Sequence, residues 1–121
     1  MDGEITPAEV KALIEDGADV RVVDIRAPRA FVQGHIPGSE NVPFDRLVAA
    51  VERFDGDEHV VTVCPHGKSS VQAANLIASY EGVGPDATVQ SMAGGLDAWE
   101  WEFDFGADDA DGESGRPESP F

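Results

Sequence analysis

Cysteine, lysine and long apolar runs are scarce or missing in this sequence. Cys64 is its single cysteine. One thiol excludes an internal disulfide and the paired thiolates of structural zinc sites, so no metal site is expected. It does not exclude chemistry on that thiol. The only lysines are Lys11 and Lys68, and 24 acidic residues against 8 Lys and Arg give a formal net charge of −16. Such a surface repels nucleic acid and anionic membranes, and neither is expected as a partner. No apolar run approaches the ~20 residues that cross a bilayer. The start, Met1-Asp2-Gly3-Glu4, lacks the basic and apolar regions of a secretory signal, which points to a cytoplasmic protein. A net charge this large opposes compaction unless salt screens it. An Asp-rich, Lys-poor surface is a solubility device of salt-accumulating organisms, and a halophilic source is expected.

A length of 121 residues with 41% hydrophobic content suits one domain with one core. Thr6-Pro7-Ala8-Glu9 is a capping box with proline at the first helical position, and Ile5 and Val10 are spaced for a hydrophobic staple. Val10, Leu13 and Ile14 mark the buried face of that helix, and Gly17 ends it. Val20 to Ile25 reads as a strand. Residues 26 to 44 are too punctuated by proline and glycine for a long element. Leu47, Val48, Val51 and Phe54 are spaced for one helical face. His59 to Cys64 is the best strand, its continuous β-branched run suiting the centre of a parallel sheet. Ser69 to Tyr80 follows as a helix apolar around most of its circumference, then a short strand near Thr88-Val89-Gln90. Gly94-Gly95 leads into a helical turn around Ala98-Trp99. Alternating strands and helices predict an α/β fold whose parallel sheet is covered on both faces. Past Phe105 the composition turns to Asp, Glu, Gly, Ser and Pro, so 106–121 is expected to be a disordered acidic tail on a domain of residues 1–105.

Cys64 ends the central strand immediately before a helix, the edge of an open α/β sheet where ligands bind. The intervening residues are Pro65, His66, Gly67, Lys68, Ser69 and Ser70. Gly67 permits a tight curve that turns successive N–H groups inward as an anion-binding nest, and the following helix adds its positive end. Lys68 adds a charge, and His66 adds one when protonated. Each favours the thiolate, which is the nucleophile, and the same concavity suits an oxyanion beside the sulfur. Gly67-Lys68-Ser69 superficially matches the end of a nucleotide-binding P-loop. That motif needs glycine five residues before Gly67, where Thr62 stands. Gly82-Val83-Gly84 lacks the strand and helix of a dinucleotide motif, and no cofactor is expected.

Three separated segments together resemble the single-domain rhodaneses. These are Asp24-Ile25-Arg26 with Phe31, Gly34-His35-Ile36-Pro37-Gly38-Ser39 and Asn41-Val42-Pro43; the six-residue loop Cys64 to Ser69; and Met92-Ala93-Gly94-Gly95 with Trp99. The resemblance implies about five mainly parallel strands flanked by helices. It also implies a thiosulfate-type sulfurtransferase with Cys64 as the persulfide-carrying nucleophile. A small sulfur-containing anion would be the donor, and a thiol, cyanide or a protein the acceptor. Pro65, His66, Gly67, Lys68, Ser69 and Ser70 would form the substrate cradle. The sequence departs from the family at Ala30, where glutamate is common, and at Lys68, where arginine is common; lysine keeps the charge without the guanidinium fork.

Outside the loop, Asp24 and Arg26 are expected to form a buried ion pair, with a secondary electrostatic role for Arg26. His35, in a Gly-His-Ile-Pro-Gly turn, is expected to bond to backbone rather than act as a base. Trp99 and Trp101 are expected in packing roles. Two competing readings are a non-catalytic or redox-sensing module of the same fold and a phosphatase or arsenate reductase. The latter calls for arginine where this sequence has Ser70.

Overall fold

A computed structural model of the chain describes residues 3–106. The expected tail lies almost wholly outside the described residues. Five strands form one sheet in the order β1-β5-β4-β2-β3, and every ladder in it is parallel. The strands are β1 (Glu4–Ile5), β2 (Arg21–Asp24), β3 (Glu40–Asn41), β4 (His59–Val63) and β5 (Thr88–Met92). The helices are α1 (Pro7–Glu15), α2 (Pro28–Gln33), α3 (Leu47–Ala50) and α4 (Ser69–Ala78). Among the described residues no helix is long and apolar enough to cross a membrane.

The expected capping box starts α1: Thr6 Oγ1 accepts the Glu9 N–H at 3.1 Å, and Glu9 Oε1 accepts the Thr6 N–H at 3.0 Å. Side chains of a strand alternate between faces, and β4 uses the alternation fully. Val60 and Cys64 join a core with Leu47, Phe54, Ala73, Ala74, Ile77 and Val89 under α4. Val61 and Val63 join Ile5, Val10, Ile36, Met92 and Trp99 under α1. The parity of β4 thus puts Cys64 on the face where α4 begins.

Two stretches differ from expectation. Residues 26–44 hold α2 and β3 rather than irregular chain throughout. Pro28 is an N1 residue that starts a helix instead of breaking one, and buried Phe31 anchors it, stacked 3.8 Å from the His35 ring. Residues 44–54 are not one helix but a 3-10 turn (Phe44–Arg46), α3 and a second 3-10 turn (Val51–Phe54). Leu47 and Phe54 are fully buried, whereas Val48 is 68% exposed. Tightening at both ends rotates Val48 out of the face that a regular helix would give it.

Candidate active site

The loop after β4 curls around the Cys64 sulfur. Gly67, at φ +82°, turns the backbone so that its N–H donates to Sγ at 3.1 Å. Lys68 is the N-cap of α4 and supplies no side-chain cap. The first-turn N–H of Ser70, which has no carbonyl partner within the helix, donates instead to Sγ at 3.3 Å. Ser70 Oγ lies 3.3 Å from Sγ and 2.7 Å from Ser91 Oγ. Burial pushes the Cys64 thiol up, but the Ser70 hydroxyl, then the N–H groups of Ser70, His66 and Gly67, outweigh it, holding the thiol below its ordinary value. The residue is only 2% exposed.

A second segment braces this loop from behind. The Leu96 N–H donates to the Cys64 carbonyl at 2.9 Å and the Asp97 N–H to the Pro65 carbonyl at 3.1 Å. With two carbonyls engaged on the outside, the loop's N–H groups are left to face inward. Gly94 and Gly95 bring the brace close. A Cβ on Gly95 would overlap the Cys64 carbonyl and the nitrogens of Gly67 and His66, and one on Gly67 would meet the Gly94 nitrogen at 2.8 Å.

The loop residues therefore divide. Gly67 and Ser70 are buried against the sulfur, while Pro65, His66, Lys68 and Ser69 are exposed at the rim. The Lys68 ammonium makes no hydrogen bond or ion pair among the described residues, which leaves it available to an anion at the loop mouth. His66 Nδ1 lies 2.6 Å from Asp97 Oδ2, so the ring is held sideways against the brace. Ser70, where a phosphatase-type loop carries arginine, is fully buried with its hydroxyl between Cys64 and Ser91.

Asp24, Arg26 and His35 lie outside the loop. Arg26 donates to both carboxylate oxygens of Asp24, at 2.7 Å for the shortest contact, and to the Gly34 carbonyl at 2.6 Å. His35 Nδ1 donates to the Phe31 carbonyl at 2.8 Å. Neither pair touches Sγ; both fasten the segment after β2. Sequence reasoning missed Ser91 and Asp97. The signal for Ser91 is a small polar residue in a strand otherwise headed for the core, in register with Thr62 of β4.

A family model described as the rhodanese-like domain matches residues 6–102. The chain belongs to the rhodanese-like domain family. Among curated relatives it is similar to the thiosulfate sulfurtransferase GlpE of Pseudomonas aeruginosa, 38% identical over 95 residues, covering 78% of this chain and 81% of that one. GlpE of Pseudomonas fluorescens is 39% identical over 99 residues, covering 82% and 85%. Among solved structures, a rhodanese-like domain protein from Staphylococcus aureus superposes with a TM-score of 0.73 at 26% identity, covering 88% of this chain and 100% of that one. The human single-domain sulfurtransferase TSTD1 gives a TM-score of 0.66 at 27% identity, covering 79% and 93%. In this rhodanese-like chain the five-stranded α/β fold expected from sequence is therefore present.

Proposed function

We propose that this rhodanese-like chain is a thiosulfate-type sulfurtransferase whose sulfur carrier is Cys64. The observation that carries the reading is the sulfur itself, ringed by the N–H groups of Gly67 and Ser70 and the Ser70 hydroxyl. The Cys64 thiolate attacks the outer sulfur of thiosulfate, the sulfur–sulfur bond of the donor breaks, and sulfite leaves with the electron pair. Cys64 keeps the transferred atom as a persulfide. A thiol, cyanide or protein nucleophile then attacks that outer sulfur, forming its own persulfide or thiocyanate, and the Cys64 thiolate returns as leaving group. Loop N–H groups stabilise the negative sulfur at each stage, and exposed Lys68 draws the anionic donor to the mouth. The activity named for the curated relatives supports the same reading over a non-catalytic module.

We assign the activity to residues 1–105 and treat 106–121 as dispensable, so a chain ended at Phe105 should keep its turnover and thermal midpoint in high salt. The reaction suits the cytoplasm, where reduced thiols serve as acceptors. The charge of −16 suits a saline interior. On that reading, thermal stability climbs between low and molar KCl; a flat response would argue for an ordinary mesophilic source.

The deciding experiment is intact-mass measurement after incubation with thiosulfate. One sulfur atom should be gained, a reducing agent should remove it, and Cys64→Ser should neither gain sulfur nor turn over. Turnover by the serine variant would overturn the assignment, and hydrolysis of aryl phosphate in place of sulfur transfer would redirect it.

A further inference from the structure

Ser91 is too small to add much to the core, yet it is fully buried in β5 with its hydroxyl turned to Ser70. Its register partner on β4, Thr62, grips the same residue: Thr62 Oγ1 donates to the Ser70 carbonyl at 2.7 Å. Neighbouring strand hydroxyls therefore hold Ser70 by both its backbone and its side chain. A serine hydroxyl has one proton to donate and lone pairs that accept. When Cys64 is a thiolate, Sγ can only accept, so Ser70 must donate its proton to sulfur. Its Oγ then needs a donor of its own, and among the described residues only the Ser91 hydroxyl is in place to be one.

We propose that Ser91 is a positioning residue for sulfur transfer: its O–H donates to Ser70 Oγ and so commits the Ser70 O–H to the Cys64 thiolate. When the sulfur carries a proton the chain turns round: S–H donates to Ser70 Oγ, and Ser70 donates to Ser91. Each hydroxyl keeps its own proton and only rotates; the proton lost from sulfur leaves to a base outside the relay. The pair thus favours whichever charge state the sulfur holds, with more gained by the thiolate because bonds to a charged acceptor are the stronger ones. Burial of both serines excludes the water that would otherwise substitute for either partner.

The relay rests on the reading of Cys64 as the carrier. The ionisable groups at the Cys64 end of the elements packed around it are, among the described residues, His66 and Lys68 of the loop, Asp97 of the brace, and Asp24 with Arg26 at the end of β2; Arg21 of β2 and His59 of β4 lie at the opposite end of the sheet. None is bonded to Sγ, and His66 and Arg26 are engaged by Asp97 and Asp24. A change at Ser91 leaves all of them in place, so the Cys64 titration isolates its effect.

The test is the pH profile of Cys64 alkylation by iodoacetamide, alongside kcat/KM for thiosulfate and the thermal midpoint. Ser91→Ala should raise the apparent Cys64 pKa by about half to one unit, seen as alkylation slowed roughly threefold to tenfold below that pKa. The pH optimum for sulfur transfer should move up with it. The isosteric pair Ser91→Thr and Ser91→Val disturbs packing alike and differs in the hydroxyl, so threonine should titrate nearer to wild type than valine. This comparison decides the matter even where the alanine variant folds poorly. An unmoved or lowered pKa in Ser91→Ala, or identical titrations for threonine and valine, overturns the relay while leaving Cys64 as carrier. Turnover by Cys64→Ser overturns the carrier reading itself.

Discussion

The amino end of the sheet and the Cys64 pocket at its carboxyl end are built on opposite electrostatic plans. At the amino end Arg21 pairs with Glu40 at 2.6 Å and with Asp57 at 2.5 Å, and Arg53 joins Glu40 at 3.1 Å. Full charges of both signs meet there and cancel. In that pocket, Cys64 meets backbone N–H groups and the Ser70 hydroxyl. Neutral donors bring no counter-charge of their own, so a negative charge arriving on the sulfur finds oriented dipoles waiting and no fixed partner to displace. A charge that must come and go is better served by dipoles. One that stays for the life of the fold is adequately served by a salt bridge.

The contrast breaks most completely at the sulfur. Cys64→Ser should reduce sulfur transfer to background in a thiosulfate–cyanide assay, with the fold intact by circular dichroism. Next comes the brace. Gly95→Ala combines a positive φ with overlap onto the loop backbone. It should cost about 2–4 kcal/mol of stability and most of the activity, measurable by denaturant unfolding and turnover together. Arg21→Ala tests the other end. Its partly exposed pairs should be worth about 1–2 kcal/mol at low salt and less at high salt. kcat/KM of the folded protein should stay within about twofold; a larger loss would mean that the ends are coupled.

Lys68→Ala should lower kcat/KM for thiosulfate by a factor corresponding to roughly 1 kcal/mol, the scale of one exposed charge, with Lys68→Arg retaining most of it. Smallest is a linkage effect. Because the folded Cys64 thiol lies below its ordinary value of 9.0, native protein releases its proton before unfolded protein does. The resulting stability is absent below the folded pKa, grows through the interval, and is complete above the unfolded value. The thermal-midpoint difference between wild type and Cys64→Ser should therefore shift toward wild type as pH rises to about 9. A difference constant with pH would mean that the loop does not favour the thiolate.

What could be read from sequence followed from local signals. Thr6 and Glu9 announce α1 within four residues, and the run ending at Cys64 announces both the central strand and the edge where ligands bind. The illegible parts depend on distant partners. β1 is a strand only because Glu4 and Ile5 pair with Ser91 and Met92. α2 forms where Phe31 finds a burial site and stacks on His35, which outweighs the punctuation around it. Asp97 reaches His66 across 31 positions. Ser91 reads as an ordinary strand serine until β4 and α4 are placed around it.

The outermost strands, β1 and β3, are each two residues long, and each carries a glutamate, Glu4 and Glu40. Open sheet borders invite pairing with another chain, and strands as short as these offer too little ladder for it to take hold. A protein built this way can reach high concentration while its sheet stays closed to stacking into fibrils.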